Sequence, residues 1–136
     1  MEQEISEKVK RLLRKVKMVY VSTANKDGTP HIAVEEGMII LNNDRVLFRA
    51  WFCFRTLENL RENPAISLAL FDPETKQGYQ LLGEMETMET GAILNGFVPG
   101  REGGWEGYPQ AEHQLLLHIQ KISSLALGPH SDEFLH

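Results

Sequence analysis

The chain has 136 residues, 42% of them apolar and 24% charged, enough for one domain with one sizeable core. Nineteen acidic against fourteen basic side chains give a formal net charge of −5, which argues against general nucleic-acid binding. Cys53 is alone, so no disulfide forms within the chain, and no apolar run approaches the roughly 20 residues of a membrane helix. A single cytoplasmic domain over residues 1–136 is expected, with no membrane partner.

Ile5, Val9, Leu12, Leu13 and Val16 recur at helical spacing and predict a helix of about three turns. Lys8, Lys10, Arg11, Arg14, Lys15 and Lys17 interleave this stripe, so they read as its solvated face rather than a nucleic-acid arm. The period then shortens. Met18–Thr23 is rich in β-branched and aromatic residues, Asn25-Lys26-Asp27-Gly28 supplies a turn, and Pro30–Val34 returns, giving a hairpin over 18–36. Met38–Leu41 and Arg45–Phe52 bracket Asn42-Asn43-Asp44 as a second hairpin. Within it Val46, Phe48 and Ala50 alternate with Arg45, Leu47, Arg49 and Trp51, so one face is apolar and the other amphipathic.

A short helix follows, with Leu57 and Leu60 facing the core, and Asn63-Pro64 ends it because a residue before proline leaves the helical region. Ala65–Phe71 predicts a strand closed by Asp72-Pro73-Glu74. Gly78 to about Glu89 continues the sheet, with Tyr79, Leu81 and Gly83 opposed to Gln80, Leu82 and Glu84. Residues 96–109, rich in glycine around Phe97, Trp105 and Tyr108, predict a long functional or mobile loop. Leu115–Gln120 reads as the last strand, and residues from Gly128 are expected to be poorly ordered or docked on a partner chain. The sum is a mainly β (α+β) domain: roughly six or seven short antiparallel strands closing into a small split barrel, with a leading helix and an inserted one.

Chemistry concentrates at residues 55–64, Arg-Thr-Leu-Glu-Asn-Leu-Arg-Glu-Asn-Pro. A helix start presents unpaired N–H groups and the positive end of the helix dipole, which favour an anion. Arg55 adds a charged fork of donors and Thr56 a hydroxyl, so the junction reads as a phosphate cradle; a surface charge beside a simple N-cap is the plainer alternative. His113 and His118 lie five apart on a strand and point to opposite faces, so no metal site is expected. Cys53 reads as a small packed group, and the acids Asp72, Glu74, Glu84, Glu86 and Glu89 as a solvated sheet face.

The order of these elements resembles the pyridoxamine-phosphate-oxidase-like FMN-binding split barrels, over roughly residues 10–125. Four pieces carry the likeness: Thr23–His31 as the first hairpin, Val46–Trp51 as the strand passing the flavin, Arg55-Thr56-Leu57-Glu58-Asn59-Leu60 with Asn63-Pro64 as the phosphate segment, and Gly78–Gly83 as the next long strand. The resemblance implies a homodimer with FMN held non-covalently at the subunit interface. It implies that Arg55 and Thr56 hold the phosphate, with Asn59 supporting the helix start. The backbone around Val34, Glu35 and Glu36, and around Ala50 and Trp51, then lines the ring, and Gln80 bonds a ring carbonyl or the ribityl chain. Arg49 either touches the ligand or lies over the sheet, and Trp51 serves either the ring or the dimer interface.

The chain departs from true pyridoxamine phosphate oxidases. It has Arg55-Thr56 in place of an Arg-Lys pair, His31 in place of an arginine, and only Lys121 as a basic residue beyond Arg101. Oxidation of pyridoxamine phosphate is therefore not expected. The expected function is that of a flavin-dependent oxidoreductase or electron carrier with an undefined small-molecule substrate or electron donor. An F420-binding reductase and a non-catalytic flavin- or haem-binding stress-response module are the alternatives.

Overall fold

The computed structural model describes residues 5–93, 111–128 and 133–135. The leading apolar stripe forms helix α1 (Glu7–Val16), with Ile5 and Val9 fully buried against the sheet. Lys15 on this helix reaches Asp72 at 2.6 Å, and the ammonium holds that carboxyl below its usual value. Asp72 is thus buried in an ion pair, unlike the solvated sheet face expected for it.

The strands are β1 (Val19–Ala24), β2 (Pro30–Glu35), β3 (Met38–Ile40), β4 (Arg45–Ala50), β5 (Ala65–Asp72), β6 (Gln77–Ile93) and β7 (Ala111–Ala126), with helix α2 (Phe54–Glu62) between β4 and β5. They form one sheet in the order β2-β1-β5-β6-β7-β4-β3, each pair antiparallel. This is the predicted split barrel, but among the described residues hydrogen bonding does not close it, and β2 and β3 are its edges. The 96–109 loop lies outside the described residues.

Alternation sets the core. Val46 and Phe48 from β4, Leu68 and Leu70 from β5, Leu81 from β6, and Leu115, Leu117 and Ile119 from β7 all turn inward. The last strand runs well beyond the predicted Leu115–Gln120, because its ends are held by pairing with β6 rather than by apolar alternation. Register shifts at Leu82/Gly83, Met85/Thr87 and Thr90/Ile93 bend the β6–β7 ribbon, as bulges do. At Gly83 a Cβ would collide with the His118 carbonyl, so the first bulge needs glycine.

The tail corrects a further expectation. Phe134 bridges Ser123, and the Leu135 amide donates to the Ile122 carbonyl at 2.8 Å, so these residues dock on their own chain. The reason is local: β4 pairs with β7 only between His113 and His118, which leaves the far end of β7 open on that side.

The corner between β2 and β3 is made by Glu36 and Gly37. Gly37 has φ +106, and its carbonyl accepts from the Arg49 amide at 3.1 Å. A Cβ there would strike the Arg49 carbonyl, whereas one at Gly28 (φ +87) would meet nothing within 4 Å. Gly37→Ala therefore combines conformational strain with a backbone clash and is expected to cost at least ~2 kcal/mol in urea unfolding. Gly28→Ala, carrying strain alone, should cost about 1 kcal/mol; equal losses would remove the clash as the cause.

Candidate functional site

A cleft of about 490 Å³ opens where this corner meets β4, within the size range of small-molecule sites. Met18, Val34, Glu35, Glu36, Gly37, Arg49, Ala50, Trp51 and Glu112 line it. Its walls are the end of β2, the corner, the end of β4 and the start of β7. Of the residues read from the sequence, it brings together Val34, Glu35, Glu36, Arg49, Ala50 and Trp51. Met18, Gly37 and Glu112 were missed, because their place depends on pairing between distant strands. Only Gly37, a lone glycine between two strand-like runs, left a readable trace.

Arg49 leans along the sheet. Its guanidinium donates to Gln114 Oε1 from Nη2 at 2.8 Å and from Nε at 3.3 Å, and lies 3.8 Å from Glu112. Glu35 is different. Its register partner is the fully buried Val19, so its side chain leaves β2 on the core-facing side. Its Oε2 is buried without a hydrogen-bond partner among the described residues, and burial pushes its pKa up to about 7.

Four residues beyond Ala50, helix α2 begins at Phe54 after Cys53, which places no side-chain hydrogen bond on the first-turn amides. No acidic residue occupies that turn, and Arg55 is exposed in it. Thr56 is buried, its hydroxyl 3.0 Å from the Cys53 sulfur. Asn59 is buried too and donates to Thr23 Oγ1 at 3.1 Å, tying the helix to β1. The Thr56 and Asn59 side chains therefore act inside the fold, and the side chains that the helix start turns outward are Phe54 and Arg55. Cys53 is half-buried and helps shape this start, rather than filling the core.

Gln80 stands apart from the cleft. It lies mid-sheet on the face opposite Leu81, donates to Ser67 Oγ at 2.8 Å and accepts from Ser123 Oγ at 3.3 Å. The outward face of the β1–β2 hairpin is apolar except at Ser22: Tyr20 pairs with Val34 and Ser22 with Ile32, and Ile32 is 66% exposed. This strip reaches the cleft at Val34.

An open antiparallel sheet of this strand order, with two helices and a cleft at the β2–β3 corner, defines the class of a split barrel. Residues 5–122 match the family described as pyridoxamine 5'-phosphate oxidase, and the chain belongs to that family. A curated relative, the uncharacterized protein MJ0282 of Methanocaldococcus jannaschii, is 32% identical over 79 residues, covering 57% of this chain and 52% of that protein. The match thus spans about half the relative's length. The fold is shared with HupZ of Group A Streptococcus at TM-score 0.67 and 23% identity, over 93% of this chain and 98% of that one. An FMN-binding protein of Syntrophomonas wolfei aligns at TM-score 0.62 and 16% identity, over 90% and 91% of the two chains. An F420 reductase aligns at 0.60 and 16%, over 88% and 98%. At these identities the structural likeness establishes the fold alone.

Glu35 makes stability depend on pH. Its folded value of about 7 exceeds the ordinary 4.5, so between those values the native state holds a proton that the unfolded chain releases. Its contribution is greatest below pH 4.5 and declines as pH rises to about 7. Between about pH 5 and 8 the wild type should lose about 2 kcal/mol relative to Glu35→Gln, read from urea midpoints at each pH. Parallel curves for the two proteins would show that Glu35 ionises normally.

Proposed function

We propose that this protein binds FMN non-covalently, at an interface between two copies of the chain, and works as a flavin-dependent oxidoreductase or electron carrier. The observation that carries the reading is the continuity between the cleft and the start of α2. The cleft is flanked by Val34, Ala50 and Trp51, and the chain passes directly from there into a first turn with Arg55 and no acid. A flat ring fits the first place and a phosphate the second.

In this reading the α2 amides and Arg55 anchor the phosphate, and Thr56 and Asn59 hold the helix start rigid through Cys53 and Thr23. Ala50 and the β2 backbone flank the ring, while Trp51 shields it from water. When bound, the flavin ring supplies reversible acceptance of a hydride or electrons. The exposed Tyr20, Ile32 and Val34 give a second copy an apolar surface beside the same cleft. Gln80, already satisfied by Ser67 and Ser123, meets the ligand only if that network rearranges. Family membership and the FMN-binding protein of like fold support the ligand class. A cytoplasmic location accords with the absence, among the described residues, of any helix long and apolar enough to cross a membrane.

Purified protein should be yellow, or become so on adding FMN, and should elute at twice the chain mass. Arg55→Ala should weaken FMN binding about ten- to a hundredfold, the loss expected for a charged hydrogen bond to phosphate, while leaving riboflavin affinity nearly unchanged. Protein that takes up neither flavin would remove this reading; preference for F420 or haem in the same titration would transfer the cleft to that ligand.

A further inference from the structure

Glu35 is the one lining carboxyl with a buried oxygen that nothing in the described protein satisfies. An unmade hydrogen bond of this kind costs about 1–3 kcal/mol, so a partner from outside the chain would be bound with corresponding advantage. The surrounding charges decide what that partner must offer. Glu36 from the corner and Glu112 from β7 are acidic, and the sole cation in the lining, Arg49, is engaged by Gln114 and Glu112. Val19, opposite Glu35 on β1, is apolar. No described group therefore compensates a negative charge on Glu35, and burial already favours its neutral form near pH 7. A neutral carboxyl is a hydrogen-bond donor, and an ionised one is an acceptor only.

We propose that Glu35 enters the bound state protonated and donates a hydrogen bond to a carbonyl oxygen or ring nitrogen of an uncharged heteroaromatic ring in the cleft. Ligand and proton then bind together. The proposal deepens the flavin reading and rests on it, since the isoalloxazine ring offers both kinds of acceptor. It also gives the cleft a selectivity: rings with an acceptor at this edge are favoured, and carboxylates or other anions are rejected by Glu36 and Glu112.

The test uses riboflavin, because the FMN phosphate itself titrates near pH 6 and would confuse the result. With the competent form set by a group titrating near pH 7, the wild-type Kd should rise about tenfold from pH 6 to pH 8. Glu35→Gln, which keeps a donor but cannot ionise, should bind about as the wild type does at pH 6 and stay flat across the range. Calorimetry of the wild type at pH 7.5, in buffers of different ionisation enthalpy, should show uptake of more than about half a proton per riboflavin. This second measurement needs no variant, so a Glu35→Gln protein that failed to fold would leave the proposal decidable.

A wild-type Kd that is flat with pH, or absent proton uptake, would overturn it. So would a slope that survives in Glu35→Gln. In those cases riboflavin still binds and the flavin reading stands. Absence of riboflavin and FMN binding at both pH values would remove the two together.

Discussion

The Arg49 amide donates a backbone hydrogen bond to the Gly37 carbonyl, and this bond, with the β3–β4 pairing beside it, fixes the corner that lines the cleft. It carries the β3–β4 ladder, in which Met38 pairs with Phe48, one residue further into the corner that follows β2. With it, Glu35 and Glu36 stand beside Arg49, Ala50 and Trp51, residues that lie more than a dozen positions later in the chain. Glycine is required because the backbone turns through positive φ while touching the Arg49 carbonyl. Among the described residues β2 and β3 have no second strand neighbour, and the cleft lies beside the corner that joins them.

Two polarities meet along this part of the surface. The cleft is acidic, and its arginine is already held by neighbours, so it suits an uncharged ring better than an anion. The start of α2 is the reverse, with an exposed guanidinium, no side-chain cap and no first-turn acid. A ligand with a neutral planar end and an anionic tail matches that gradient. The scaffold around it is stiff where it must be: the Thr23–Asn59 bond joins α2 to β1, and the Phe48 and Phe52 rings pack edge to face at 5.2 Å beneath the strand-to-helix passage.

Local pattern made most of the fold legible. Alternation at Val46, Phe48 and Ala50 and the turn chemistry of residues 25–28 and 42–44 identify strands and hairpins without long-range information, because side-chain direction follows a period of two. Asn63-Pro64 ends α2 as expected, with Asn63 extended at φ −142. The length of β7 was not legible, since His113 and Ser123 lie towards its ends, which are held by pairing with β6 rather than by apolar pattern. The inward turn of Thr56 and Asn59 was hidden for a related reason: a polar residue on an amphipathic helix gives no sign of which buried partner will satisfy it.

What the amino-acid order determined by itself is the succession of elements and the position of Arg55 at a helix start, because these follow from backbone sterics and short-range hydrogen bonding. What tertiary structure alone decided is which side chains share a cavity and what state they hold there. Glu35 is an ordinary carboxylate on paper. It becomes a proton-holding group because strand pairing places it on the core-facing side, where one carboxyl oxygen is buried without a partner among the described residues, and that energy belongs to its surroundings rather than to the residue.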